Sequence, residues 1–177
     1  MISIPKKQGH LDGLCGIYAI VNALSELGES RPELLFATAC QSLSPSRWPE
    51  TLWKGTTLRD LEVMIKSCIE ELNLEGISVR YPFRSIQPTS DTAFWTRFEE
   101  LFSDNGSNKC AIVGLEEPSL HWLVVKPSSG NMLFIDSDGL TTKSKVSRQE
   151  IYAGQRRSNG QKYRLNRKEV VLFERTE

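Results

Sequence analysis

Residues 8–24 read QGHLDGLCGIYAIVNAL. From Cys15 onward the apolar residues Ile17, Ile20, Val21, Ala23, Leu24 and Leu27 recur at helical spacing, and Gly28 supplies a C-terminal stop. The spacing predicts a mostly buried helix over 15–27, with Cys15 in its first turn just after Asp12 and Gly13. That position has chemical consequences. The free N–H groups and positive dipole end of a helix N-terminus stabilise a thiolate, the reactive form of cysteine. The same N–H groups can hold a developing oxyanion, with Gln8 in the preceding loop as a second donor. Gly16 is expected to let a substrate backbone approach closely.

A leader reading competes for this stretch, because the apolar run 14–24 follows Lys6 and Lys7. Asp12 and Asn22 interrupt it and no small-residue cleavage site follows cleanly, so a signal peptide is not expected. Nothing in the chain approaches the ~20 apolar residues of a membrane span.

Downstream, a second short helix is expected over 32–41, with Pro32 in its first turn where a missing N–H costs little. Pro45, Trp48, Pro49 and Trp53 then read as a loop. Thr57 with Asp60 resembles a capping pair, and Leu58, Leu61, Met64, Ile65, Cys68, Ile69 and Leu72 trace one helical face. Residues 77–83 alternate like a strand, and Asp91 is expected to cap a helix carrying Phe94, Trp95, Phe98, Leu101 and Phe102. The second half changes character. Segments 110–115, 121–126, 132–136, 161–165 and 170–174 are short, β-prone and separated by turn residues. Helices first and strands later predict an α+β domain spanning 1–177, its antiparallel sheet packed on the N-terminal helix.

The 177 residues are 39% hydrophobic and 25% charged with zero net charge, which is ordinary globular usage. Four cysteines (Cys15, Cys40, Cys68, Cys110) lie far apart with no CxxC, which favours neither a disulfide framework nor a zinc site and suits a reducing compartment. No cofactor is implied. From Thr141 to the end ten Lys or Arg face four Glu, so the tail is basic. Arg156, Arg157, Lys162, Arg164, Arg167 and Lys168 read as a solvated face or as a rim for an acidic partner.

A thiolate nucleophile needs a group that takes and returns a proton, and the chain has only two histidines. His121 opens a strand in SLHWLVV, and Asp136 ends the next one in MLFIDSDG, fifteen residues later. A hairpin of that length sets the two side by side on adjacent strands, where the carboxylate can accept from the imidazole and fix its tautomer. Asp138 precedes Gly139 and reads as a turn residue. His10 reads as a loop residue, since a local Cys–His pair lacks an orienter. Cys40, Cys68 and Cys110 fall in apolar patterns and read as packing, as does Trp122.

A Gln upstream, Cys-Gly at a helix start, His before an aliphatic strand and Asp after the following strand, in that order, resemble the papain-like cysteine peptidase superfamily. The likeness covers most of the chain and is greatest to its small bacterial members related to C39-type peptidases. The resemblance implies a papain-like fold, with N-terminal helices on a C-terminal antiparallel sheet. It also implies Cys15 as nucleophile, His121 as general base, Asp136 as orienter and Gln8 in the oxyanion hole. The context CGIY differs from the CGSCW-like context of secreted peptidases, so their peptide specificity is not implied.

The expected function is therefore cysteine-dependent hydrolysis of an amide, as a peptidase or as an isopeptidase on a ubiquitin-like modifier. A glutamine deamidase would use the same triad. A reading of another class is a non-catalytic module that binds an acidic protein through the basic C-terminal face. Neutral charge and the absence of a recognised motif argue against nucleic acid. The expected setting is the cytoplasm, either of the producing cell or of a host that receives the protein as an effector.

Overall fold

In the computed structural model, which describes residues 13–85, 88–104, 106–138, 143–154 and 157–176, the stretch around Cys15 forms α1 (Cys15–Glu26). Ile17, Ala19, Ile20, Val21, Asn22, Ala23 and Leu24 are all buried, so little of this helix meets solvent. Gly28, at φ +94°, ends it. The N–H of Gly28 donates to Ser25 and that of Glu29 to Leu24, both at 3.0 Å, which satisfies carbonyls the last turn leaves open.

Two further helices, α2 (Pro32–Ser42) and α4 (Leu58–Glu71), lie where the pattern puts them. A reciprocal cap starts α4: the Asp60 N–H donates to Thr57 Oγ1 at 3.2 Å, and the Thr57 N–H donates to Asp60 Oδ2 at 2.8 Å. The segment expected as a loop contains one more helix, α3 (Trp48–Lys54). Pro49 sits in its first turn, where a proline removes no intrahelical bond, so the residue that suggested a loop starts a helix instead.

The sheet contains β1 (Ile77–Arg80), β2 (Lys109–Glu117), β3 (His121–Ser128), β4 (Asn131–Ile135), β5 (Lys143–Ser147), β6 (Ile151–Tyr152) and β7 (Tyr163–Arg175). Its order is β1-β7-β2-β3-β4-β5, every neighbouring pair antiparallel, while β6 runs parallel to the start of β7. Among the described residues this makes an α+β fold of five α-helices and a seven-stranded sheet.

Side chains alternate between two faces of that sheet. Cys110, Ile112, Trp122, Val124, Ile135, Val171 and Phe173 pack with α1, α2 and α4. Ala111, Val113, Leu123, Val125, Phe134, Val170 and Leu172 pack on the other side with Phe94, Trp95 and Phe98 of α5 (Asp91–Glu100). The sheet is thus covered on both faces, and its strands read as continuous apolar runs for that reason.

Four boundaries differ from expectation. β1 stops at Arg80, because Pro82 has no N–H to give a ladder, and Phe83 folds in against Phe94 with ring centroids 5.1 Å apart. α5 is capped by Ser90, whose Oγ accepts from the Ala93 N–H at 3.1 Å, while Asp91 Oδ1 accepts from the Ala153 N–H at 2.6 Å. Residues 163–165 of the first segment and all of 170–174 belong to one long strand, β7, whose register against β2 shifts on both sides of Leu115. β5 was not anticipated: KSKVS has one buried residue, Val146, and its lysines suit an edge strand that must not pair further. No helix among the described residues is long and apolar enough to cross a membrane.

Candidate active site

Cys15 is placed by what precedes it. The Gly13 N–H donates to the Leu52 carbonyl at 2.8 Å, and a Cβ on Gly13 would meet the Gly55 nitrogen at 2.9 Å. The chain entering α1 is therefore fastened against the end of α3, and Cys15 begins the helix with 8% of its surface exposed. Its Sγ lies 4.0 Å from the Gly13 carbonyl oxygen, a long contact for a weak donor.

His121 and Asp136 come from neighbouring strands. Val124 of β3 faces Ile135 of β4, so His121 stands three residues before that pair and Asp136 one residue after it. The imidazole spans this diagonal, which long side chains on antiparallel strands can reach. Its Nε2 lies 2.7 Å from Asp136 Oδ1. The Asp138 N–H also donates to Asp136 Oδ1, at 2.9 Å, so Asp138 serves the site through its backbone.

With Nε2 committed to Asp136, Nδ1 is the nitrogen left to face Cys15. Burial pushes the imidazole pKa down, but the hydrogen bond to Asp136, the hydrogen bond to Cys15 and both partners' charges raise it to about 10. Burial pushes Asp136 up, yet the His121 bond and charge, with backbone donors from Asp138 and Ser137, hold its carboxyl below the usual range. His121 is thus a base bonded to an orienting carboxylate, and the nearby Cys15 sulfur adds to the rise of its pKa.

The other cysteines sit differently. Burial raises Cys68 and Cys110 each to about 12. Their thiols point at the Leu35 and Ala23 carbonyls, at 3.6 and 3.5 Å, and both are packing residues. Cys40 is half-buried and also raised by burial.

Trp122 packs in the α1 layer and does one thing more. Its Nε1–H donates to the Thr56 carbonyl at 2.8 Å, tying the start of β3 to the loop between α3 and α4. Gly16 differs from expectation. A Cβ there would stand 2.0 Å from Thr56 Oγ1 and 2.9 Å from Leu61 Cδ2, so the space over Gly16 is filled by the protein and does not admit a substrate.

Cys15 and His121 open into a cleft of about 350 Å³, lined also by Trp53, Thr56, Leu120 and Glu169. A smaller cavity of about 200 Å³ also touches His121 and includes Asp136 and Tyr163. Thr56, Leu120 and Glu169 were not singled out in the sequence, and Trp53 was read only as a loop residue. Leu120 is an isolated leucine in a turn and Glu169 a single charge in a basic run, and neither carries a pattern.

Gln8, His10 and Asp12 lie outside the described residues, as do Arg156 and Gly139. Part of the basic tail is held by partners within the fold. Lys162 pairs with Glu150, Arg164 pairs with Glu116 at 2.8 Å, and the Arg167 guanidinium donates to the Pro88 carbonyl at 3.4 Å. No family model matches the chain, and no curated protein matches it either.

Proposed function

We propose that the protein is a cysteine-dependent amide hydrolase of papain-like arrangement, with Cys15 as nucleophile, His121 as acid and base, and Asp136 as orienter. The observation that carries this reading is the His121 imidazole, bonded to Asp136 at 2.7 Å and lining one open cleft together with Cys15. Cys40, Cys68 and Cys110 have no such partner among the described residues.

The chemistry follows from the order of the groups. The Cys15 thiolate attacks the amide carbonyl carbon, forming a C–S bond and placing the electron pair on the carbonyl oxygen. In this reading backbone N–H groups of the first turn of α1 receive that oxygen, and Gln8 is assigned beside them by the resemblance alone. Protonated His121 gives its proton to the departing nitrogen, the C–N bond breaks, and a thioester remains. Water then attacks the thioester carbonyl while His121 takes its proton, and the acid leaves as the thiolate is restored. Asp136 keeps the imidazole oriented throughout and stabilises its charged form.

The test is alkylation of each cysteine by iodoacetamide as a function of pH, read by intact mass and peptide mapping. Cys15 should react selectively well below the free-thiol value of ~8.5, and His121→Ala should abolish that advantage. Cys15 reacting no faster than Cys40 would overturn the reading. With activity in hand, the product separates the leaving groups: a released fragment marks a peptidase or isopeptidase, and an intact chain that has lost ammonia marks a deamidase.

A further inference from the structure

The cleft beside Cys15 holds a carboxyl group, Glu169, that no ion pair among the described residues matches. Glu169, on β7, is partly buried where β7 loses register with β2, and its side chain lies over Gly114 of the neighbouring strand. A Cβ on Gly114 would stand 2.1 Å from Glu169 Oε2 and 2.9 Å from its Cβ, so only glycine leaves room for the carboxylate there. Burial and the charge of Glu116 both raise the Glu169 carboxyl, and among the described residues no ion pair joins it to a cation. The other charged groups lining the cleft are Lys54, Asp138 and His121, whose imidazolium is bonded to Asp136 at 2.7 Å. Lys54 is paired with Glu50 at 3.0 Å.

The lips of the same cleft are apolar. Trp53 is 77% exposed and Leu120 is 84% exposed, and both line the opening that contains Cys15 and His121. Two large apolar side chains so exposed, flanking an unmatched carboxylate, suit a ligand with an apolar stem and a cationic end. A lysine or arginine side chain has that build, and the indole of Trp53 adds a face on which a cation can rest.

We propose that Glu169 is the specificity-determining residue of this cleft, pairing with a lysine or arginine side chain of a polypeptide substrate while Trp53 and Leu120 cover its stem. The proposal rests on the hydrolase reading above. A partly desolvated carboxylate without a partner costs free energy in the empty protein, and an incoming cation offsets that cost, whereas an acidic side chain meets repulsion. Glu169 needs no contact with the reacting atoms for this; it selects which residue lies beside the amide that Cys15 attacks.

The test uses acetylated tripeptidyl chloromethyl ketones carrying lysine or its uncharged analogue norleucine at each position in turn, with Cys15 alkylation followed by intact mass. The norleucine rate measures each variant's own nucleophile, so only the ratio is read. In the wild-type protein lysine should outpace norleucine by roughly tenfold in at least one position, the size expected for one partly desolvated charge pair. The ratio should fall toward one in Glu169→Gln and in Gly114→Ala, which displaces the same carboxylate by a different route, and a glutamate-bearing probe should gain in Glu169→Lys. A wild-type protein indifferent to lysine, or a preference that survives Glu169→Gln, overturns the proposal. Iodoacetamide separates the two levels: His121-dependent labelling without a lysine preference sinks this proposal alone, and labelling of Cys15 no faster than Cys40 sinks the hydrolase reading with it.

Discussion

The indole N–H of Trp122 and the carbonyl of Thr56 are joined at 2.8 Å, and that bond couples the two halves of the candidate site. Trp122 follows His121 on β3; Thr56 packs over Gly16, the residue after Cys15. Base and nucleophile are thus linked through Trp122, next to His121, and Thr56, which packs over the residue after Cys15. Trp122→Phe keeps most of the apolar volume but leaves a buried carbonyl without its donor, at a cost of about 1–3 kcal/mol. For a chain of this size each kcal/mol shifts Tm by roughly 2–4 °C. Calorimetry should show that loss, and iodoacetamide labelling of Cys15 should slow with it. An unchanged Tm would mean that the bond contributes nothing net.

Asp136 and Asp138 separate by role. Asp136 Oδ1 receives both His121 and the Asp138 N–H, whereas Asp138 contributes a backbone group that any residue but proline possesses. Asp136→Ala should slow neutral-pH labelling of Cys15 on the order of tenfold or more, since the imidazole loses its orienter. Asp138→Ala should stay within about twofold, the scatter of a surface change that removes no bond. Equal losses in the two variants would show that the orienter has been misassigned.

How far the fold and the site were legible in the sequence depends on where each signal lives. The helix of Cys15 could be read because its apolar residues repeat at helical spacing within one segment, and His121 and Asp136 because a hairpin is a local object. The loop that proved to be α3 was misread because proline breaks a helix interior yet starts a helix well, and the two cases look alike in a short segment. β5 carries almost no alternation, because an edge strand is specified by its partner β4 and not by burial of its own. Glu169 was invisible for a related reason. Its burial and its missing partner depend on a glycine in another strand, and no reading along β7 alone could find Gly114. Gly16 shows the same limit in reverse: glycine beside a nucleophile suggested room for substrate, and the room is taken by Thr56.

That Gly16 contact gives a prediction of its own. Gly16→Ala places a methyl 2.0 Å from Thr56 Oγ1 and 2.9 Å from Leu61 Cδ2, so the first turn of α1 must shift or Thr56 must move. Overpacking of this kind costs about 1–3 kcal/mol. Thr56→Ala in the same chain removes the nearer obstacle but not Leu61, so the double variant should recover part of the loss and not all of it. Denaturant melts of the four proteins in the cycle measure the coupling directly. Additive losses would mean that the two residues do not meet.

The pH dependence of stability tests whether Cys15, His121 and Asp136 act as one unit. A group whose folded pKa is raised contributes stability that is whole below its unfolded value and gone above its folded value. For His121 the contribution is present in full below about 6.5, and it is lost as pH rises through about 10. Asp136 works at the other end. Its lowered carboxyl contributes above about 3.9, and that share is lost as pH falls through its folded value. The Tm gap between wild type and His121→Ala should therefore be widest near pH 6 and should narrow steadily toward pH 10. Part of the raise comes from the Cys15 sulfur, so in a Cys15→Ala background the same gap should close at a lower pH. Thermal melts across that range decide the point: closure at the same pH with and without the thiol would mean that the sulfur does not sense the imidazole, and the nucleophile–base pair would be lost with it.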